Sequence, residues 1–256
     1  LEPSGKVALH FSPHPDDELV AAPATLMALR DAGWRVVNVA CSLGGAGQRA
    51  RREAEMREAC RRAGFELCVP GKPGSISPGV DPPAAQAELT DLAAEALARA
   101  APALVLSPGP GDLHHSHLVV FRAVRDAIAS RGPEAPRWWM WALWGSLPQP
   151  TLGTAFGEDR LEEVLAALGA YESELARNDY RRLVRARAEA SAVLAPELLF
   201  GFGSTADAKT GYAELLTEAA LSGARWLLGR PRWLDVEAPL CDPPAGADTV
   251  KMKPIA

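Results

Sequence analysis

Over residues 1–145 short apolar runs alternate with longer stretches whose apolar positions recur every three or four residues, the patterns of buried strands and amphipathic helices. Residues 6–12 (KVALHFS) predict a strand. Residues 18–32 (ELVAAPATLMALRDA) predict a helix that Pro23 must kink or start late, because proline cannot continue the hydrogen-bond ladder. A second strand is expected at 34–41, a loop at 42–48 (SLGGAGQ) and a charged helix at 49–63. Residues 66–69 can form a third strand, and a long proline- and glycine-rich loop, 70–83, leads to a helix at 84–101. The fourth strand falls at 103–107 and the fifth at 137–142, separated by the loop 108–117 and a helix that begins near His117.

Strands alternating with helices predict a doubly wound, Rossmann-like α/β fold, with a mostly parallel sheet covered on both faces and right-handed crossovers. Ligands of such folds sit beyond the carboxyl ends of the strands. The loops 12–18, 42–48 and 108–117 all follow strands and are expected to meet there. Past Trp144 the periodicity weakens. A proline- and glycine-rich loop precedes an arginine-studded helical stretch at about 171–194 and a further helix at about 211–228. The expected organisation is one domain over 1–256, with a core at about 6–145 and a helical C-terminal appendage at about 146–256.

A length of 256 residues with 48% hydrophobic positions suffices for a sizeable core. The net charge of −5 offers no basic field for a nucleic acid or an anionic membrane surface, so neither is expected as a partner. Cys41, Cys60, Cys68 and Cys241 form no C-x-x-C pair and sit in apolar stretches, which suits reduced, buried thiols. No apolar run reaches the ~18 residues of a membrane span, and residues 1–10 lack the pattern of a secretory signal. The default expectation is a cytoplasmic location.

The chemistry concentrates in two loops. The first strand ends in Ser12-Pro13-His14-Pro15-Asp16-Asp17-Glu18, an imidazole and three carboxylates on one turn. One of the aspartates could simply cap the following helix. Capping offsets only ~0.3–1 kcal/mol of the mutual repulsion, whereas a bound dication offsets far more. A catalytic zinc usually has three protein ligands and an open position, and the fourth loop, 108–117 (PGPGDLHHSH), supplies His114, His115 and His117.

At these residues the chain resembles the LmbE-like family of zinc deacetylases, which includes the N-acetylglucosaminyl-phosphatidylinositol, mycothiol-pathway and bacillithiol-pathway de-N-acetylases. The family's strand followed by (A/P)-H-P-D-D-E is matched by Pro13 to Glu18. Its helix R-x-x-E-x-x-x-A-x-x-x-x-G is matched by Arg52, Glu55, Ala59 and Gly64, preceded by Ser42 and Gly44. The family's usual glutamate in that glycine loop is replaced by Gly45. The third motif, H-P-D-H, fits His114-His115-Ser116-His117, which keeps both outer histidines. The other register, Asp112-Leu113-His114-His115, loses the first histidine and the spacing of the next helix.

The resemblance implies His14, Asp17 and His117 as zinc ligands, Asp16 as general base, and His114 as oxyanion stabiliser or proton donor to the leaving amine. It implies a zinc-dependent amidohydrolase that removes the 2-N-acyl group of a glucosamine unit. Amide hydrolysis itself calls for such a set, since a poor electrophile and a poor nucleophile need a Lewis acid, a base and an oxyanion donor.

The substrate side is less defined. Arg52 and Gly44 are candidate contacts by the family match, although a loop glycine more often serves a turn and a helix arginine solvent. Trp138, Trp139, Trp141 and Trp144 cluster on and after the fifth strand. They read as core with one exposed face or as an aromatic wall, in which case Trp139 and Trp144 are the substrate contacts. The basic run 177–187 reads as a solvated face. The divergent glycine loop, the 70–83 segment and the tryptophans resemble the branch that tailors teicoplanin-type glycopeptide antibiotics, implying a glycoconjugate pseudoaglycone as substrate. The rivals are deacetylation of a small thiol-sugar precursor, a non-catalytic sugar-binding protein, and phosphoester hydrolysis, which favours a two-metal site with more carboxylates.

Overall fold

The computed structural model describes residues 6–71, 76, 82–204, 210–237 and 239–240, so most of the 70–83 loop and Cys241 lie outside the described residues. The elements in chain order begin with β1 (Val7–Ser12), α1 (Asp17–Val20), α2 (Pro23–Asp31), β2 (Arg35–Ala40), α3 (Arg49–Ala63) and β3 (Glu66–Cys68). Next come α4 (Pro82–Ala100), β4 (Leu104–Pro108), α5 (His115–Ser130) and β5 (Arg137–Trp141). The remainder is β6 (Leu152–Phe156), α6 (Glu158–Leu168), α7 (Glu172–Arg177), α8 (Tyr180–Phe200), β7 (Tyr212–Ser222), β8 (Arg225–Leu228) and β9 (Arg232–Trp233).

The sheet is ordered β3-β2-β1-β4-β5-β7-β6-β9, with β8 paired to β7. Strands β3 to β5 in that order are all parallel, the expected Rossmann-like arrangement. Alternation along β1 sends Val7, Leu9 and Phe11 into the core under α4 and α5, while Ala8 packs with the residues of α2, α3 and α6 on the other face. The chain reverses its winding between β1 and β4. That switch point opens a crevice at the carboxyl ends of the two strands that carry the chemistry-bearing loops. Pro23 does start α2 late: it occupies the first turn, where its missing N–H costs nothing.

The C-terminal part departs from the sequence reading. Beside the helices α6, α7 and α8 it adds β6, β7 and β9 to the same sheet. The segment at 211–228, expected as a helix, is the β7–β8 hairpin, with Ser222 opposite Arg225. Its alanines, leucines and glutamates favour helix locally. Pairing of Thr217, Glu218 and Ala219 with Met140, Trp139 and Trp138 covers the otherwise open edge of β5, and this tertiary gain overrides a propensity of a few tenths of a kcal/mol per residue. The helix at 171–194 is two helices, broken where the Asp179 side chain accepts from Arg182 N and caps α8. Glu214 of β7 accepts from Ala24 N and Thr25 N at 2.8 Å each, capping α2 and tying the C-terminal strands to the N-terminal helices.

Candidate metal centre and active site

The turn after β1 is held by its own aspartate: His14 N donates to Asp17 Oδ2 at 2.8 Å. Asp16 adopts φ 118°, left-handed backbone that is costly for a residue with a Cβ and is kept where surroundings over-determine it. The loop after β4 is pinned to the segment after β5. A Cβ on Gly111 would lie 2.1 Å from the Ser146 carbonyl oxygen, and one on Gly145 would lie 2.0 Å from that of Gly111. Only glycines permit this approach, which seats Asp112 below the loop.

Asp112 is a hub that sequence reasoning left unassigned. Its Oδ1 accepts from His114 N at 2.9 Å, and its Oδ2 from Leu143 N at 2.8 Å and Trp144 N at 3.3 Å. The same Oδ2 lies 3.1 Å from His117 Nδ1. The other ring nitrogen, His117 Nε2, faces Asp17 Oδ1 at 3.5 Å, and Asp17 Oδ2 is 3.4 Å from His14 Nδ1. One donor atom from each of His14, His114 and His117 lies within 4.8 Å of the others. The structure thus brings His14, Asp17, His114 and His117 around one point. His115 is exposed and outside the group.

These contacts set the charges. Burial works to raise Asp17, but the His117 charge and the bonds from His14 outweigh it and hold the carboxyl below its ordinary range. Burial works to lower His117, and Asp17 and Asp112 outweigh it, so the imidazole rises. Asp16 is pushed well up by burial, then by Asp17, Glu174 and Glu18, with Arg52 opposing. His114 is lowered by burial and by the neighbouring imidazoles.

A dication fits this donor set. His117 Nε2 is buried and has no hydrogen-bond partner, and the three consecutive carboxylates Asp16, Asp17 and Glu18 are buried side by side. Behind them lies a polar seam. Trp141 Nε1–H donates to His10 Nε2 at 3.1 Å, and His10 Nδ1 meets Asn38 Oδ1 at 2.9 Å. Ser12 Oγ donates to Asn38 Oδ1 at 2.8 Å, and Tyr171 O–H donates to Glu18. Burial lowers His10 to about 4 and raises Glu18 to about 7.

The centre lies at the base of a cavity of about 340 Å³, whose inner lining includes His14, Asp16, Asp17 and His114. The rest of its wall includes Arg52, Trp144, Glu174, Arg177 and Tyr180. Arg52 Nη2 donates to Glu174 Oε1 at 2.5 Å and Arg177 Nε to Glu174 Oε2 at 2.9 Å. The rings of Trp144 and Tyr180 meet edge-on, 6.4 Å apart. Gly44 does not reach the wall. It lies against Arg52, where at φ +77° a Cβ would stand 2.6 Å from Nη1.

Trp139, expected at the substrate surface, is instead fully buried, and its Nε1–H donates to Glu218 Oε1 at 3.1 Å. The strand period places Trp139 and Trp141 on one face of the sheet and Trp138 on the other, and helices cover both. Trp144 alone of the four is half-exposed, at 38%. The basic run is also only partly solvated. Arg177 joins the wall, and Arg187 donates to the carbonyl oxygens of Ala142 and Leu143. Sequence reasoning missed Glu174 and Tyr180. Both lie beyond the motifs, and the only signal for them was their place at the start of the arginine-rich stretch.

Residues 9–128 match the family model described as GlcNAc-PI de-N-acetylase, PIG-L. Over this stretch, a little under half of the chain, the sequence is similar to that family of deacetylases. Among solved structures it is similar to the A40926 pseudoaglycone deacetylase Dbv21, with TM-score 0.63, 18% identity and coverage of 88% of this chain and 98% of that one. Teicoplanin deacetylase Orf2, solved in a zinc-inhibited form, gives TM-score 0.61 at 14% identity, covering 85% and 100%. The 4-carboxy-2-hydroxymuconate hydratase GalB from Pseudomonas putida KT2440 is equally similar, with TM-score 0.63 at 18% identity, covering 85% and 97%. At such identities the likeness shows the fold, and a fold shared by deacetylases and a hydratase leaves the reaction to be argued from the site. No match is found among curated proteins.

Proposed function

We propose that this chain is a zinc-dependent N-deacetylase that hydrolyses the 2-acylamino group of a glucosamine unit, carried on a glycopeptide pseudoaglycone. The observation that carries the reading is the convergence of His14, His114 and His117 on one point, with Asp17 against His14 and His117 and with Asp16 beside them in an open cavity. Zinc held there would supply Lewis acidity, polarising a carbonyl and bringing the pKa of a water to about 7.

Asp16 takes a proton from the attacking water and delivers it to the departing amine nitrogen, work for which burial and neighbouring carboxylates have raised its basicity. His114, on the cavity side of the imidazole group, donates toward the developing oxyanion. Arg52 and Glu174 offer a donor and an acceptor to sugar hydroxyls. Trp144 and Tyr180 form the aromatic part of the wall, which favours a rigid aromatic aglycone. The solved relatives Dbv21 and Orf2, named for such substrates, support this choice.

The test is zinc content together with acetate release from a glucosaminyl glycopeptide, free N-acetylglucosamine and a small thiol-sugar precursor. The glycopeptide is expected to give the highest kcat/KM. Equal processing of the free sugar removes the aglycone from the reading. Stoichiometric zinc with no acetate from any substrate favours the non-catalytic binding protein.

A further inference from the structure

The pattern H-P-D-H places an aspartate between its histidines, and this chain has Ser116 there, with its hydroxyl turned away to donate to the Ile76 carbonyl at 2.9 Å. The carboxylate beside the motif comes instead from Asp112, in the loop ahead of it. We propose that Asp112 is a positioning residue that fixes the ring tautomer of His117, holding the proton on Nδ1 so that Nε2 presents its lone pair to the metal centre. This rests on the metal-centre reading given above.

A carboxylate is acceptor-only when ionised, and among the described residues the hydrogen-bond and ion-pair partners of the Asp112 side chain are all nitrogens: the backbone N–H groups of His114, Leu143 and Trp144, and His117 Nδ1. Three backbone donors already converge on its two oxygens, so the side chain acts here as an acceptor and has no proton to offer the ring. A neutral imidazole has one N–H, and the 3.1 Å approach of Oδ2 assigns it to Nδ1. The approach is close but off the N–H line, so neither ring nitrogen makes a strict hydrogen bond within the protein. Nε2 is then the lone-pair nitrogen, aimed at Asp17 and His14. The edge of Trp141 against the His117 ring, with centroids 5.3 Å apart, limits how else the ring can turn.

The first measurement needs no metal. Imidazole nitrogen chemical shifts of the metal-free protein, at alkaline pH where the ring is neutral, are expected to show His117 protonated at Nδ1. A ring protonated at Nε2 overturns the proposal whether or not the chain binds zinc. The second uses Asp112→Asn, whose amide can offer Nδ1 a donor where the carboxylate offered an acceptor. Zinc affinity, read by chelator competition, is expected to fall about 10–100-fold, with the His117 tautomer inverted and the circular dichroism unchanged. Affinity within threefold of wild type in a folded variant sinks the idea. If Asp112→Asn does not fold, the wild-type tautomer decides. A wild-type protein that binds no zinc refutes the metal reading, and the shifts still decide the role of Asp112.

Discussion

The base of the cavity and its wall are built in opposite ways. His14, Asp16, Asp17 and His114 form the base, with Asp112 and His117 packed against them, and they come from two short loops that each follow a parallel strand. The wall takes Arg52 from α3, Trp144 from the segment after β5, and Glu174, Arg177 and Tyr180 from α7 and α8. All of these but Arg52 lie beyond the 9–128 family match. On the proposed reading the two short loops carry the reaction chemistry, while most of the wall facing the substrate lies outside the matched stretch.

If the division holds, changes at the base remove metal or rate, and changes on the wall alter substrate affinity. The largest effect is expected for His117→Ala, which should lose zinc, whereas the exposed His115→Ala should keep it. Metal analysis with the opposite result would place the centre elsewhere. Asp16→Asn should retain zinc and lower kcat by about 10²–10⁴-fold, and loss of zinc from it would make Asp16 a ligand.

Below the centre, His10 is neutral in the fold, with a pKa lowered from 6.5 to about 4 by burial. The unfolded chain binds the extra proton first, so the stability due to this depressed value is present above pH 6.5 and is lost as pH falls toward 4. The shift corresponds to about 3 kcal/mol. The Tm gap between wild type and His10→Gln should narrow over that interval, and a constant gap contradicts the neutral, buried imidazole. The smallest effect belongs to the wall. Trp144→Ala should raise KM for an aromatic glycoside by about 2–10-fold, from an aromatic contact of ~0.5–1.5 kcal/mol, with kcat little changed. A collapse of kcat instead would join the wall to the base.

The same contrast explains what could be read from sequence. Strands β1, β2, β4 and β5 and the candidates His14, Asp16, Asp17, His114 and His117 were legible because periodicity and clustering are local signals, whereas Asp112 stood outside the motif and was not. The metal set needed only the rule that adjacent parallel strands bring their following loops together. Of the wall, Arg52 and Trp144 were among the expected contacts, but Glu174 was not legible, since it meets Arg52 across 122 positions with no pattern to announce it. Trp139 was misplaced for a related reason. A strand covered on both faces has no exposed side, so alternation says which face a residue takes but not whether that face sees solvent. The β7 hairpin was misread because its residues are good helix formers, and the decisive partner, the open edge of β5, is visible only in three dimensions.

The left-handed turn at Asp16 sets two selective pressures against each other. A Cβ at φ 118° costs on the order of 1–3 kcal/mol, and a buried carboxylate beside Asp17 and Glu18 adds repulsion to that cost. Glycine would relieve both at once, so the backbone at this position favours a residue that could not act as the proposed base. With Asp16 as that base, drift unopposed by selection for turnover leads toward a sturdier, inert protein, and glycine at this position in a descendant of this chain would mark a lineage in which the proposed turnover had ceased to be selected.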